Sequence, residues 1–181
     1  MEYNGLVDIS KYVFPFNSAD VYRRKMAVEE INNKIADSFL WAINHGATVI
    51  NFSSEDVSMR SDKIYKVIKN AQKKNVLFVV SAGNDGQNLD KNPVYPCSYK
   101  LDNLICVGSV TKSGKRESFS NFGERVAAYE VGSFEDGLVK GTSFSAPLIA
   151  RRVVALKNKY PKAGYEMIKR MAIRDNWKDY L

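Results

Sequence analysis

The sequence holds a single histidine, His45, and only two cysteines, Cys97 and Cys106. One histidine leaves few histidine-based mechanisms open. Two cysteines cannot build the multi-bridge framework of a small secreted domain, and they read as buried small hydrophobes rather than redox groups. Long apolar runs are missing too. A stretch such as Val76–Val80 falls far short of the ~20 residues that span a bilayer, so no membrane partner is expected. The opening M-E-Y-N-G-L-V-D lacks the basic and apolar segments of a secretory leader; a product complete as given would be cytoplasmic. Repeats, low-complexity tracts and linkers are absent, and one domain is expected over residues 1–181. No carboxylate cluster stands out, so neither a metal nor another cofactor is expected.

What remains is ordinary globular composition, 45% hydrophobic and 26% charged. The formal net charge is +7, from 27 basic and 20 acidic side chains. That permits long-range attraction to anions. The lysines, however, fall at helix-like spacings, as in Lys63, Lys66, Lys69, Lys73 and Lys74, and no aromatic-basic module accompanies them. They read as solvated helix faces, and no nucleic-acid partner is expected.

Periodicity predicts an α/β fold with a parallel sheet flanked by helices. A helix is expected over about Glu29–Asn44, with Ile31, Ile35, Phe39 and Ile43 along one stripe and Gly46 past its end. Thr48–Phe52 is β-branched and reads as a strand. Ser61 or Asp62 caps a helix to about Lys74, whose apolar positions are Ile64, Val67, Ile68 and Ala71. Val76–Val80 and Leu104–Val110 read as strands buried on both faces, so the first two strands and their helix close as a right-handed βαβ unit. A short strand is expected near Val126–Ala128. Ser143 or Ser145 caps a helix reaching about Tyr160, lined by Ile149, Val153 and Leu156 and stopped by Pro161. A last helix covers about Tyr165–Arg174. Tyr12–Phe14 reads as a strand ended by Pro15.

Three segments join strand ends to small polar residues. Gly141–Pro147 places a serine at a helix start, where unpaired N–H groups and a partial positive charge favour a serine alkoxide and an oxyanion. Val79–Gly86 runs an apolar strand into Asn84, an amide at a carboxyl end; taken alone, Asn, Asp and Gly there also make a turn. Trp41–Ser53 leads a helix into a buried strand ending in serines, whose backbone can pair with an extended peptide.

In this order the segments resemble the subtilisin-like serine peptidases, the subtilases. The family's W-A-x-x-x-G-A-x-V-I-N-x-S, A-G-N-x-G, Y-P-A, V-G-x-V, S-F-S-N-F-G and G-T-S-x-S-A-P segments match Trp41–Ser53, Ala82–Gly86, Tyr95–Cys97, Val107–Val110, Ser118–Gly123 and Gly141–Pro147. The likeness spans about Ile35–Pro161. It implies Ser143 as nucleophile and Asn84 as the side-chain donor of an oxyanion hole, with the Ser143 N–H as second donor. It also implies Ser53, Ser54 and Glu55 along an edge strand that holds substrate, Ser81, Ala82 and Gly83 on the wall of the specificity pocket, and Thr142 among the substrate-binding residues.

The family also uses an aspartate in D-S/T-G and a histidine in H-G-T-H, both ahead of the W-A segment. Neither motif occurs here. His45 lies inside the W-A-I-N-H-G-A-T-V-I-N block and reads as a helix-end surface residue, and Asp8 lacks the following glycine. Lys140 is the lysine nearest Ser143 in sequence, and no motif places it as a base. Arg151-Arg152 stands where the family has glycine after S-A-P, marking a changed or newly exposed surface. Ser54-Glu55 replaces leucine-glycine, which disfavours acidic substrates. The resemblance therefore implies a subtilisin-like domain without its opening strands, inactive alone, truncated or part of a split enzyme. A non-catalytic module binding an extended peptide or protein segment is the alternative; an active hydrolase with an unorthodox base is a third. A complementing chain carrying the missing Asp and His, or homo-oligomerisation, is the expected partnership.

Overall fold

The computed structural model describes residues 18–54, 60–134 and 138–174. The expected strand at Tyr12–Phe14, Asp8 and Glu55 lie outside them. Helix α1 (Ser18–Asn44) leads into β1 (Val49–Phe52). Helix α2 (Asp62–Ala71) extends through a 3-10 turn at Gln72–Lys74 into β2 (Leu77–Ser81). Strands β3 (Leu104–Val110) and β4 (Ala128–Val131) follow, then a small hairpin of β5 (Ser133–Phe134) and β6 (Val139–Lys140). Helices α3 (Thr142–Lys159) and α4 (Tyr165–Ala172) end the described chain.

Strands β1 to β4 form one parallel sheet in sequence order, with Val49 opposite Leu77, Phe78 opposite Leu104 and Val107 opposite Ala128. Every residue of β2 is buried, as a strand covered on both faces requires. Alternation sorts them: Phe78 and Val80 join α1 and α2 in one apolar layer, while Leu77, Val79, Ile105 and Val107 meet α3 and α4 in the other. Full burial of such a Leu, Val or Phe side chain stabilises by roughly 1.5–3 kcal/mol.

Ser61 caps α2 as expected, accepting from the Ile64 N–H at 3.3 Å. Asn103 is fully buried and ties α2 to the sheet. Its amide donates to Ile68 O (2.8 Å) and Val76 O (3.1 Å), and its carbonyl accepts from Gln72 Nε2.

Several expectations shift. Helix α1 starts eleven residues before Glu29, because residues 18–28 contain no proline or glycine to stop it. Its buried line runs Asn32, Ala36, Phe39, Ile43. A strict four-residue spacing drifts about 40° per step on a 3.6-residue helix, so Ile31 and Ile35 are only half-buried. The strand expected at Val126–Ala128 begins at Ala128. Neither Ser143 nor Ser145 caps α3; Gly141 holds that position, and Ser145 Oγ instead donates to Glu130 O at 2.9 Å. Cys97 and Cys106 are buried but bonded to each other as a disulfide, because the loop before β3 folds back and brings their Cα atoms to 5.0 Å. Arg151 is exposed as expected, whereas Arg152 turns inward to pair with Glu130 and to donate to Ala172 O.

The β1 edge has a readable hydrogen-bonding pattern. The Leu77 N–H donates to Thr48 O. In a parallel ladder alternate residues point to the same neighbour, so Thr48, Ile50 and Phe52 face β2. Val49 and Asn51 therefore direct their N–H and C=O away from the sheet. No described strand pairs with that side.

Candidate active site

The carboxyl ends of the parallel strands gather the residues singled out by the sequence, the end where open α/β sheets place their sites. Strand β2 ends at Ser81, Ala82 adds one more bond to Val107 O (2.9 Å), and the chain then turns at Gly83 with φ +98°. A Cβ there would lie 2.5 Å from Asn121 Nδ2, so glycine is required by both backbone and neighbour. Asn84 follows, half-buried.

Thr142, the first residue of α3, fixes Asn84. Its backbone N–H donates to Asn84 Oδ1 at 2.8 Å and its hydroxyl donates to the same oxygen at 3.1 Å, while Thr142 Oγ1 accepts from the Gly83 N–H at 3.1 Å. A backbone N–H can only donate, so the atom it meets must be the amide oxygen. That orients the Asn84 amide and leaves Nδ2 as its outward donor. A Cβ on Gly141 would sit 3.6 Å from Asn84 Nδ2 and 3.0 Å from Ser143 Oγ. The amide and the serine hydroxyl thus border one glycine-floored space, beside the first N–H groups of an 18-residue helix and its partial positive charge. Among the described residues, no side chain hydrogen-bonds to Ser143 Oγ.

Thr142 is wholly buried, with its backbone N–H and hydroxyl both turned to the Asn84 amide. Ser81 and Ala82 are buried as well. Ala82 N–H and C=O and Gly83 N–H and C=O are all bonded internally. Ser53 and Ser54 lie at the same sheet end, half-buried, and Asn51 Nδ2 donates to Ser53 Oγ at 3.1 Å. Glu55 is not described.

His45 is elsewhere. It precedes β1, whose register begins opposite the start of β2, whereas Asn84 follows the end of β2. The two lie about one strand length, roughly 15 Å, apart along the sheet. The His45 ring stacks on Trp41 at 4.1 Å, with Nδ1 2.8 Å from Trp41 O. Lys140 is exposed, its ammonium 6.0 Å from the Phe119 ring centroid. A cavity of about 570 Å³ lined by Arg60, Tyr65, Leu89, Tyr95, Tyr99 and Arg125 shares no residue with the Asn84–Ser143 space. Among the described residues no three His, Cys, Asp or Glu side chains are grouped to hold a metal ion, and no helix is long and apolar enough to cross a membrane.

Sequence reasoning missed two residues behind the site. Gly132, after β4, accepts from the Gly141 N–H at 2.9 Å and has no room for a side chain. Glu130 holds Arg152 of α3 and, through Oε1, the Val131 N–H. Only Asn121, inside the quoted S-F-S-N-F-G segment, carried a sequence signal.

The model of the subtilase family matches residues 17–177. Subtilisin DY of Bacillus licheniformis is 28% identical over 144 residues, covering 75% of this chain and 52% of that protein. Alkaline protease 1 of Aspergillus flavus is 32% identical over 164 residues, covering 80% of this chain and 40% of that protein. The solved structure of the prenylagaramide maturation protease PagA superposes with a TM-score of 0.63 at 25% identity, over 76% of this chain and 54% of that one. The chain spans about half the length of these relatives or less.

Proposed function

The chain belongs to the subtilase family, and on that premise we propose that it carries the nucleophile and oxyanion half of a serine peptidase site. The observation that supports this reading is the Asn84 amide, turned by Thr142 so that its donor borders the same space as Ser143 Oγ. In the proposed reaction Ser143 Oγ attacks the carbonyl carbon of a peptide bond. The oxygen that becomes negative accepts hydrogen bonds from Asn84 Nδ2 and the Ser143 N–H. The hydroxyl proton needs a base, without which serine is a weak nucleophile. None of the described residues stands beside Ser143 Oγ to take it. We assign the base and its carboxylate partner to segments outside these 181 residues, on the same polypeptide, a second chain or another copy. In subtilisin, loss of the triad costs about 10⁶ in turnover and leaves roughly 10³–10⁴ over water. This chain alone is proposed to be inactive towards peptides.

A fluorophosphonate probe that labels activated serines tests the assignment. The expected result is slow labelling confined to Ser143, abolished by Ser143→Ala and slowed by Asn84→Ala. Rapid stoichiometric labelling with peptide turnover that survives His45→Ala would overturn the missing-base reading. Labelling indifferent to both Ser143→Ala and Asn84→Ala would overturn the site itself.

A second reading, a module that binds an extended peptide without cleaving it, is favoured by the outward N–H and C=O groups of Val49 and Asn51 leading to Ser53 and Ser54. It predicts peptide binding undiminished by Ser143→Ala; loss of all binding in that variant rules it out.

A further inference from the structure

We infer that Asn121 is a positioning residue that sets the backbone of the oxyanion donor, an inference that rests on the role proposed for Asn84. Asn121 is fully buried. Its Oδ1 accepts from the Asp85 N–H at 3.2 Å and the Gln87 N–H at 2.8 Å. Its Nδ2 donates to Ala82 O at 2.9 Å, and its own backbone N–H donates to Gly83 O at 3.0 Å. The residues bonded are 82, 83, 85 and 87. They bracket Asn84 on both sides, and Asn84 itself is not among them.

Two residues thus divide one task. Thr142 sets the rotation of the Asn84 amide, and Asn121 sets where that side chain leaves the backbone. The turn depends on it because no strand continues past Ala82. One side chain supplies the partner of the buried Ala82 carbonyl and of two part-buried N–H groups, those of Asp85 and Gln87. The chemistry also selects asparagine. The site needs an oxygen that accepts twice and a nitrogen that donates, at one side-chain length. Aspartate keeps the acceptor but sets a second oxygen against Ala82 O. Glutamine is one methylene longer, and Gly83 already lies where even a Cβ would meet Nδ2 at 2.5 Å.

The test is a double-mutant cycle on the rate at which the fluorophosphonate labels Ser143 in the full chain. Asn84→Ala and Asn121→Asp are each expected to slow labelling by about tenfold at least and by at most the 10²–10³ that loss of an oxyanion donor costs in subtilisin. Asn121→Asp is expected to slow the Asn84→Ala protein no further, because its effect passes through Asn84. Equal slowing in both backgrounds overturns the inference. A second reading needs no reactivity: the side-chain NH₂ resonances of Asn84 and hydrogen exchange of the Asp85 and Gln87 amides. In Asn121→Asp the NH₂ resonances shift and the two amides exchange faster, while core amides of β2 and β3 stay protected. Unchanged resonances and exchange overturn the clamp whatever the labelling shows. No labelling of the wild type, with the resonances shifted, leaves the clamp intact and means that the Ser143 half-site is inert without its base, whereas labelling that persists in Ser143→Ala overturns the peptidase reading alone. Should Asn121→Asp fail to fold, Asn121→Ser, which keeps an acceptor, enters the same measurements.

Discussion

Gly132→Ala tests whether the floor beneath Ser143 is as tight as its geometry indicates. A Cβ at this position would come closer than 3.0 Å to Ser109 Oγ, Ser145 Oγ and Gly141 O. The Ser109 hydroxyl has no hydrogen-bond partner and can rotate cheaply. Ser145 cannot, because turning it breaks the bond to Glu130 O, worth about 1 kcal/mol. Gly141 O is backbone, two residues before Ser143, and moves only if the start of α3 moves. Overpacking of this kind costs about 1–3 kcal/mol; with the Ser145 bond the expected destabilisation is roughly 2–4 kcal/mol. For a chain of this length that lowers Tm by roughly 5–15 °C. Urea titration and a thermal melt give the value, and the fluorophosphonate rate reports the displacement of Ser143. Placing Gly132→Ala in a Ser145→Ala background should recover about 1 kcal/mol of the loss, since the two sites touch. A Gly132→Ala protein within about 0.5 kcal/mol of wild type, labelling at the wild-type rate, would refute the packing argument.

Asn103→Ala removes the donor shared by Ile68 O and Val76 O and is expected to cost at least about 1–3 kcal/mol, read as a lower urea midpoint at unchanged slope; an unchanged midpoint contradicts the tie between α2 and the sheet. The Tyr99 phenol is raised above its ordinary value of 10.0 chiefly by burial, and its hydroxyl donates to Ser61 O. A raised acid contributes stability that is full below about pH 10 and is lost as pH rises through the folded value. Lys157 and Lys169, lowered by burial, act the opposite way, losing their contribution as pH falls through their folded values. Comparison with Tyr99→Phe isolates the phenol: wild type should lose stability relative to the variant above about pH 10, and a constant difference would contradict the burial argument.

Much of the framework was legible. Strand β3 matches its expected limits at both ends, because the apolar Leu104–Val107 and Val110 flank only two small residues, and turn residues bound the segment. Ser61 was readable as a cap because its partner lies three residues away. The misses depended on distance. The pairing of Cys97 with Cys106 requires a loop to return to β3, and nothing in either residue's neighbourhood announces that. Ser145 has the residue type and position of a cap, yet its hydroxyl goes to Glu130, on a strand the sequence placed too early. Gly132 carries no local signal at all, since its need arises from Ser109, Ser145 and Gly141. At the site, the order of motifs pointed to Asn84 and Ser143. That Thr142 holds the Asn84 amide oxygen was visible only once β2 and α3 had been brought together.

The tethers of Asn84 have a temporal consequence. Asn121 lies 34 to 39 residues from the loop groups that its side chain holds, and Thr142 lies 58 residues beyond Asn84. During synthesis β1, α2 and β2 can all emerge while the amide still has neither tether. Closing such long loops carries an entropy cost that local contacts do not offset. The Asn84 amide therefore acquires its geometry only when the start of α3 docks, in the same event that delivers Ser143. The proposed nucleophile and oxyanion donor mature together, and a nascent chain that stops short of Thr142 contains Asn84 without a direction in which to point it.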